Sequence, residues 1–249
     1  MTDSTLRSEG VTQTEVRGHV ALLRLCGNYF ANIRHLDSRD EILNSLEYLN
    51  RNKAIKVIII SSTFCGAGVD EYIRFFREQQ GTMDKQRAHR FCNAVNQVTL
   101  EIVRSGKLVV HVCGGEMVAF FLGMSLAADY AVVEEGSVFH NSYLDVGVLP
   151  KGGLPYFIAR RGGCRSVYNL LLGEREIDAA QALQMGLVDA LAPAGKAEEA
   201  AFAYAARFEE VPARTITGMK RLTNWCIRDL EEYLSYENKQ ILKTLDMVD

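Results

Sequence analysis

The chain has 249 residues, 48% hydrophobic and 24% charged, with 20 glycines and 4 prolines, which excludes collagen-like, low-complexity and disordered classes. With 28 basic against 31 acidic side chains the formal net charge is −3, so a nucleic-acid-binding module driven by positive charge is excluded. No apolar run approaches the ~20 residues of a membrane span. The polar first ten residues lack the apolar core of a secretory signal, so a soluble, cytoplasmic protein with no membrane partner is expected.

In chain order, short apolar runs alternate with helical periodicity. Residues 19–25 and 56–61 read as buried strands. Between them, residues 37–51 carry Ile42, Leu43, Leu46 and Leu49 at helical spacing, with Asp37 or Ser38 as cap. Residues 85–105 form a second amphipathic helix, with Phe91, Val95, Val98 and Ile102 on one face. Residues 107–112 are a further strand, turned by Cys113-Gly114-Gly115; residues 120–128 read as a buried helix and 130–133 as the strand after it. From about Leu154 onward the pattern predicts helices only: 154–161, 166–172, 179–185, 196–208 and one long run, 215–245. Such an order predicts an α/β layered core with parallel-type strands and a helical C-terminal portion.

The six cysteines are far apart, with no C-x-x-C pair and no histidine at zinc-ligand spacing. No metal site is expected, and most of them read as small buried hydrophobes. Two glycine-bearing turns follow buried strands: Thr63-Phe64-Cys65-Gly66-Ala67-Gly68-Val69-Asp70-Glu71, and Cys113-Gly114-Gly115-Glu116. Backbone N–H groups in such turns can bind a developing oxyanion, although glycine also serves simply to permit a tight turn. Neither turn is a phosphate-binding fingerprint, so nucleotide binding is not expected.

Residues 170–193 read LLLGEREIDAAQALQMGLVDALAP, and Ala127-Ala128-Asp129-Tyr130-Ala131 is followed by Phe139, Gly147, Pro150 and Gly152-Gly153. With the strand over residues 57–61 leading into Cys65-Gly66-Ala67, these segments resemble the crotonase (enoyl-CoA hydratase/isomerase) superfamily over about residues 18–240. The resemblance implies an α/β, crotonase-like (ββα)n spiral core of two roughly perpendicular sheets, residues 1–195. A C-terminal helical region, residues 196–249, would serve trimerisation in a homotrimer or hexamer. It implies an acyl-CoA or acyl-carrier-protein thioester as substrate and no cofactor beyond the substrate's own coenzyme A or phosphopantetheine. Fatty-acid or polyketide metabolism is the implied setting. The implied oxyanion hole is made of two backbone N–H groups, of Cys65 and Phe120, with Ala67 the alternative to Cys65. Ala67, Gly68, Lys151 and His140 are the implied substrate contacts.

The sequence departs from the family's hydratases at both catalytic glutamates, which fall on Gly123 and Tyr143. Their glycine triplet is Ala119-Phe120-Phe121, and Phe120-Phe121 would crowd the pocket. Two-glutamate water addition needs two positioned carboxylates, and a tyrosine with an unperturbed pKa near ~10 is no substitute. Lys151 stands where isomerases and dehalogenases carry an aspartate. Desolvated, it can act as an amine base or steady an enolate or carboxylate; the bland reading is a solvated loop lysine.

Candidate replacements for the acids are Asp70 and Glu71 at a helix start, where carboxylates also suit the dipole. Tyr143 and Asp145 would share one face if their segment is extended. His140 has a suitable solution pKa but would face the other side of that strand unless the chain turns. Glu116 is a further candidate or a turn cap, and Cys65 acts as nucleophile only with a lowered pKa. No basic residue stands in Ser61-Ser62-Thr63, and residues up to Asp249 do not show the family's C-terminal ligand-covering segment. Lys220, Arg221, Lys239 and Lys243 could compensate, and a carrier-protein thioester is left open.

These readings point to an enzyme of oxyanion-stabilised enolate chemistry, with double-bond isomerisation or specialised (de)hydration first, decarboxylation second and thioester hydrolysis third. The reading from another class is a catalytically silent acyl-thioester-binding subunit.

Overall fold

The computed structural model describes residues 10–27, 29, 32, 36–63, 68–79 and 84–245. Its elements are β1 (Thr12–Arg17), β2 (Val20–Leu25), α1 (Leu36–Arg51), β3 (Val57–Ser61), α2 (Val69–Gln79), α3 (Lys85–Arg104), β4 (Leu108–Cys113), β5 (Glu116–Val118), α4 (Phe120–Ala127), β6 (Tyr130–Glu134) and β7 (Val138–His140). After α5 (Leu154–Gly162) and α6 (Cys164–Tyr168) come β8 (Glu176–Asp178), α7 (Ala179–Gln184), β9 (Ala190–Ala192), α8 (Ala197–Ala206), α9 (Ala213–Asn224) and α10 (Leu230–Thr244).

Two sheets form the core. The larger runs β1-β2-β3-β4-β6-β9, with β1 antiparallel to β2 and each later pair parallel. The smaller runs β5-β7-β8. Alternate residues of the parallel strands serve two apolar layers, which is why β3 reads as an unbroken apolar run. Leu22, Val57, Ile59, Val110 and Val112 pack under Ala197, Ala201 and Ala205, whose i, i+4 spacing gives α8 a smooth face. Leu23, Ile58, Ile60 and Val109 face the other way, into the layer that holds α1, α3 and α4.

The expected α/β core with C-terminal helices is present, with corrections. The region beyond Leu154 is not helical only: β8 joins the small sheet and β9 closes an edge of the large one. The turn Cys113-Gly114-Gly115 leads into strand β5 before any helix. Gly115 has φ +82° and donates its N–H to Ser137 Oγ at 2.9 Å, so these glycines serve the turn itself. The expected long helix over 215–245 is two helices joined by a 3₁₀ turn, Trp225–Ile227. The break has tertiary causes. Asn224 donates to Val103 O at 2.5 Å, and Asp229 takes Arg160 and the Tyr156 hydroxyl, each at 2.7 Å.

Candidate active site

Four helices, the small sheet and the loop after β7 border a narrow cavity of about 40 Å³. Tyr72 and Phe76 of α2, Phe91, Cys92 and Val95 of α3, Phe120 of α4 and Ile241 of α10 supply most of its apolar wall. The helix α4 is buried along its whole length, and Phe120 is its first residue. A helix start is where backbone N–H groups point outward from the axis, the geometry an oxyanion needs. The Phe120 ring lies 5.2 Å from that of Tyr29 and 5.4 Å from that of Phe121, so the bulk that replaces the glycine triplet is absorbed into an aromatic cluster. Among the described residues of the wall there is no carboxylate; its titratable groups are Tyr72, Cys92, His140, Tyr143 and Lys151.

Tyr143 lies in this wall, and burial pushes its phenol well above the ordinary range, so it stays neutral. Its hydroxyl donates to Leu171 O at 2.6 Å. The expected Tyr143/Asp145 pair is not assembled. The segment is not extended but a 3₁₀ turn, Ser142–Leu144, which separates the two side chains. Asp145 lies outside the cavity, held by Arg175 at 2.8 Å.

Lys151 is not a solvated loop residue. Only 11% of its side chain is exposed, and its ammonium lies 2.5 Å from Glu237 Oε2 and also bonds Asn96 Oδ1. Glu237, on α10, accepts the N–H groups of Gly152 and Gly153 as well, at 3.2 and 2.9 Å. A buried carboxylate with three donors and a buried ammonium with two acceptors offset each other's desolvation. Burial pushes the neighbouring Cys92 thiol up to about 11, so it is no nucleophile at neutral pH. Lys220, one of the four basic residues expected to compensate for the missing ones, is buried with its ammonium on Asp129 at 2.7 Å and two backbone carbonyls. It is therefore not available to a ligand.

Beside the apolar cavity lies a polar cleft of about 730 Å³, lined by Gly68, Asp70 and Glu71 at the start of α2, and by Glu116, Asp145, Arg175 and Glu176. His140 and Ser142 line both spaces. In the small sheet His140 sits opposite Glu176 on β8 and Val118 on β5, and Glu116 lies two residues from Val118 on the same face. Nε2 of His140 bonds Glu116, and Nδ1 lies 3.4 Å from Glu176 Oε1. The chain turns directly after His140, which is what brings this ring and Tyr143 to one cavity. Ser142 is buried and its hydroxyl has no hydrogen-bond partner among the described residues; the same holds for Oε2 of Glu71.

Between β3 and α4, His111 of β4 is fully buried between Ser125 Oγ at 2.8 Å and Ser62 Oγ at 3.0 Å. Burial pushes its pKa down to about 3, so it is neutral. It ties the end of β3, which leads to the first glycine loop, to α4. Cys65 and Ala67, the expected donors of that loop, lie outside the described residues.

Sequence reasoning missed Glu237, Asn96, Glu176, Ser142 and His111. Glu237 had a signal: it interrupts the stripe Leu230, Leu234, Ile241 on an otherwise amphipathic helix. His111, a single polar residue in an apolar strand, had one too.

A family model described as enoyl-CoA hydratase/isomerase matches residues 17–247. The chain is 21% identical over 202 residues to the trans-2-decenoyl-[acyl-carrier-protein] isomerase of Streptococcus mutans, covering 81% of this chain and 73% of that protein. It is 23% identical over 199 residues to the ethylmalonyl-CoA decarboxylase of Danio rerio, covering 78% and 64%. The match to YhaR of Bacillus subtilis, at 22% identity over 149 residues, takes in 60% of this chain and 57% of that protein. Among solved structures, an enoyl-CoA hydratase from Bacillus halodurans superposes with a TM-score of 0.78 at 20% identity, covering 95% of each chain. DspI of Pseudomonas aeruginosa gives 0.72 at 20% identity, covering 96% of this chain and 90% of that one.

Proposed function

This chain belongs to the enoyl-CoA hydratase/isomerase family, and within it we propose an enzyme that moves the double bond of an enoyl thioester through an enolate. One observation carries the reading: no carboxylate stands among the described residues of the apolar cavity. Water addition by two carboxylates has no pair to work with there, since the family's two positions hold Gly123 and a buried, neutral Tyr143. Allylic isomerisation needs one group that takes a proton from the α-carbon and returns one at the γ-carbon, together with donors for the thioester oxygen. The N–H of Phe120 at the start of α4 is proposed as one donor, and that of Cys65 or Ala67 as the other.

The acyl chain would lie against Phe91, Val95 and Ile241, with Lys151 in the wall beside it. Asp70, Glu71 and Asp145 ring the outer cleft with Gly68, where the thioester would enter. Coenzyme A and a carrier protein are both compatible carriers; the relatives include an enzyme named for each. Exposed Met219, Leu222 and Trp225 on the C-terminal side support assembly into a trimer or hexamer.

A panel of 2-enoyl, 3-enoyl, 3-hydroxyacyl and malonyl-type thioesters, each on coenzyme A and on a carrier protein, tests this by mass and absorbance. Conversion of a 3-enoyl to a 2-enoyl thioester is the expected result. Loss of carbon dioxide from the malonyl type alone would replace isomerisation with decarboxylation. Binding without any conversion would make the chain a silent thioester-binding subunit.

A further inference from the structure

We propose that His140, buttressed by Glu116 and Glu176, is the catalytic acid–base of this site and its proton outlet to solvent. The inference rests on the isomerisation reading above and names the group that performs it. His140 and Ser142 are the two described residues shared by the closed apolar cavity and the open polar cleft, so a proton leaving the one for the other passes between them. Only 17% of the His140 side chain is exposed, whereas Glu116 and Glu176 are 67% and 62% exposed. The imidazole is thus held at the partition, and its two carboxylates stand on the water side.

The hydrogen bonding assigns the nitrogens. A Glu116 carboxylate can only accept, so Nε2 carries a proton, and in the neutral ring Nδ1 is then the acceptor. Nδ1 takes the α-proton of a 3-enoyl thioester, and the C–H electron pair becomes the enolate. The same pair, moving through the dienolate, then takes a proton from Nδ1–H at the γ-carbon. The product is the 2-enoyl thioester, with no net gain or loss of atoms and the thioester intact. Between the two steps the proton on Nδ1 can pass to Glu176, 3.4 Å away, and be replaced from cleft water. Ser142 Oγ, buried and without a partner among the described residues, is placed to hold a water on this path.

The test uses trans-3-hexenoyl-CoA deuterated at the α-carbon, incubated in ordinary water with wild type, His140→Gln, Glu116→Gln and Glu176→Gln. Circular dichroism melts of each variant establish that it is folded. Wild type is expected to form the 2-enoyl product with part of the deuterium taken from the α-carbon delivered to the γ-carbon and the rest lost to water. His140→Gln should lose about 10²–10⁴-fold in turnover, and Glu116→Gln a smaller part of it. Glu176→Gln, an exposed substitution, should raise the fraction of label transferred to the γ-carbon relative to that lost. Wild-type turnover in folded His140→Gln would overturn the proposal and leave isomerisation standing. An unchanged label partition in Glu176→Gln would overturn the outlet. A wild type that binds the probe and converts none of it would sink the isomerisation reading, and the role of His140 with it.

Discussion

The ammonium of Lys151 lies 2.5 Å from the carboxylate of Glu237, a residue 86 positions later in the chain, on the last helix. The same carboxylate holds the N–H groups of Gly152 and Gly153, so one side chain of α10 fixes both the loop behind the cavity and the charge in its wall.

Removing one partner of this pair leaves the other buried and uncompensated. Lys151→Met or Glu237→Leu alone should cost about 3–5 kcal/mol of stability. The double substitution should recover most of it, because two apolar side chains replace two charges together. Denaturant unfolding of the two single variants and the double one checks this, and additive losses would contradict it.

Acid should weaken the fold through His111. Its folded pKa, about 3, lies below the ordinary value of 6.5, so the unfolded chain binds a proton that the folded one does not. The stabilisation is therefore full above about pH 6.5 and is lost as pH falls toward 3, at ~1.4 kcal/mol per pH unit for this group. His111→Gln, which cannot charge, should flatten that limb in thermal melts taken across this range.

Two glycines near the cavity should respond with opposite signs. A Cβ on Gly123, inside α4, would meet Leu154 Cβ at 3.7 Å, an ordinary contact. Gly123→Ala should therefore stabilise by roughly 0.5–1 kcal/mol through helix propensity. Gly153 has φ +80°, and a Cβ there would meet Phe157 Cε2 at 3.1 Å. Gly153→Ala should destabilise by at least about 1–2 kcal/mol. Melting temperatures of the two variants decide this, and shifts of the same sign would contradict it.

The parts of this molecule that sequence reveals are those written in local periodicity. The runs behind β2, β3 and β4 and the stripe Phe91, Val95, Val98, Ile102 on α3 are of this kind. The three-residue strands β5, β7, β8 and β9 are too short to show a period, and only pairing across the small sheet or at an edge of the large one defines them. The site divides in the same way. Phe120, Lys151, His140 and Tyr143 line the cavity, and Gly68 and His140 line the cleft. Asp145 stands outside the cavity, on Arg175, because a 3₁₀ turn takes the place of an extended segment. The partners that define the chemistry, Glu237 for Lys151 and Glu176 for His140, are brought in by tertiary structure, which no local pattern encodes.

The proposed chemistry turns on whether this site makes an enolate. Incubating the purified protein with unlabelled trans-3-hexenoyl-CoA in heavy water, with proton NMR of the acyl chain, tests it most directly. Deuterium is expected at the α-carbon of recovered substrate and at the γ-carbon of the 2-enoyl product. A thioester that binds yet keeps both α-protons through many hours would contradict it.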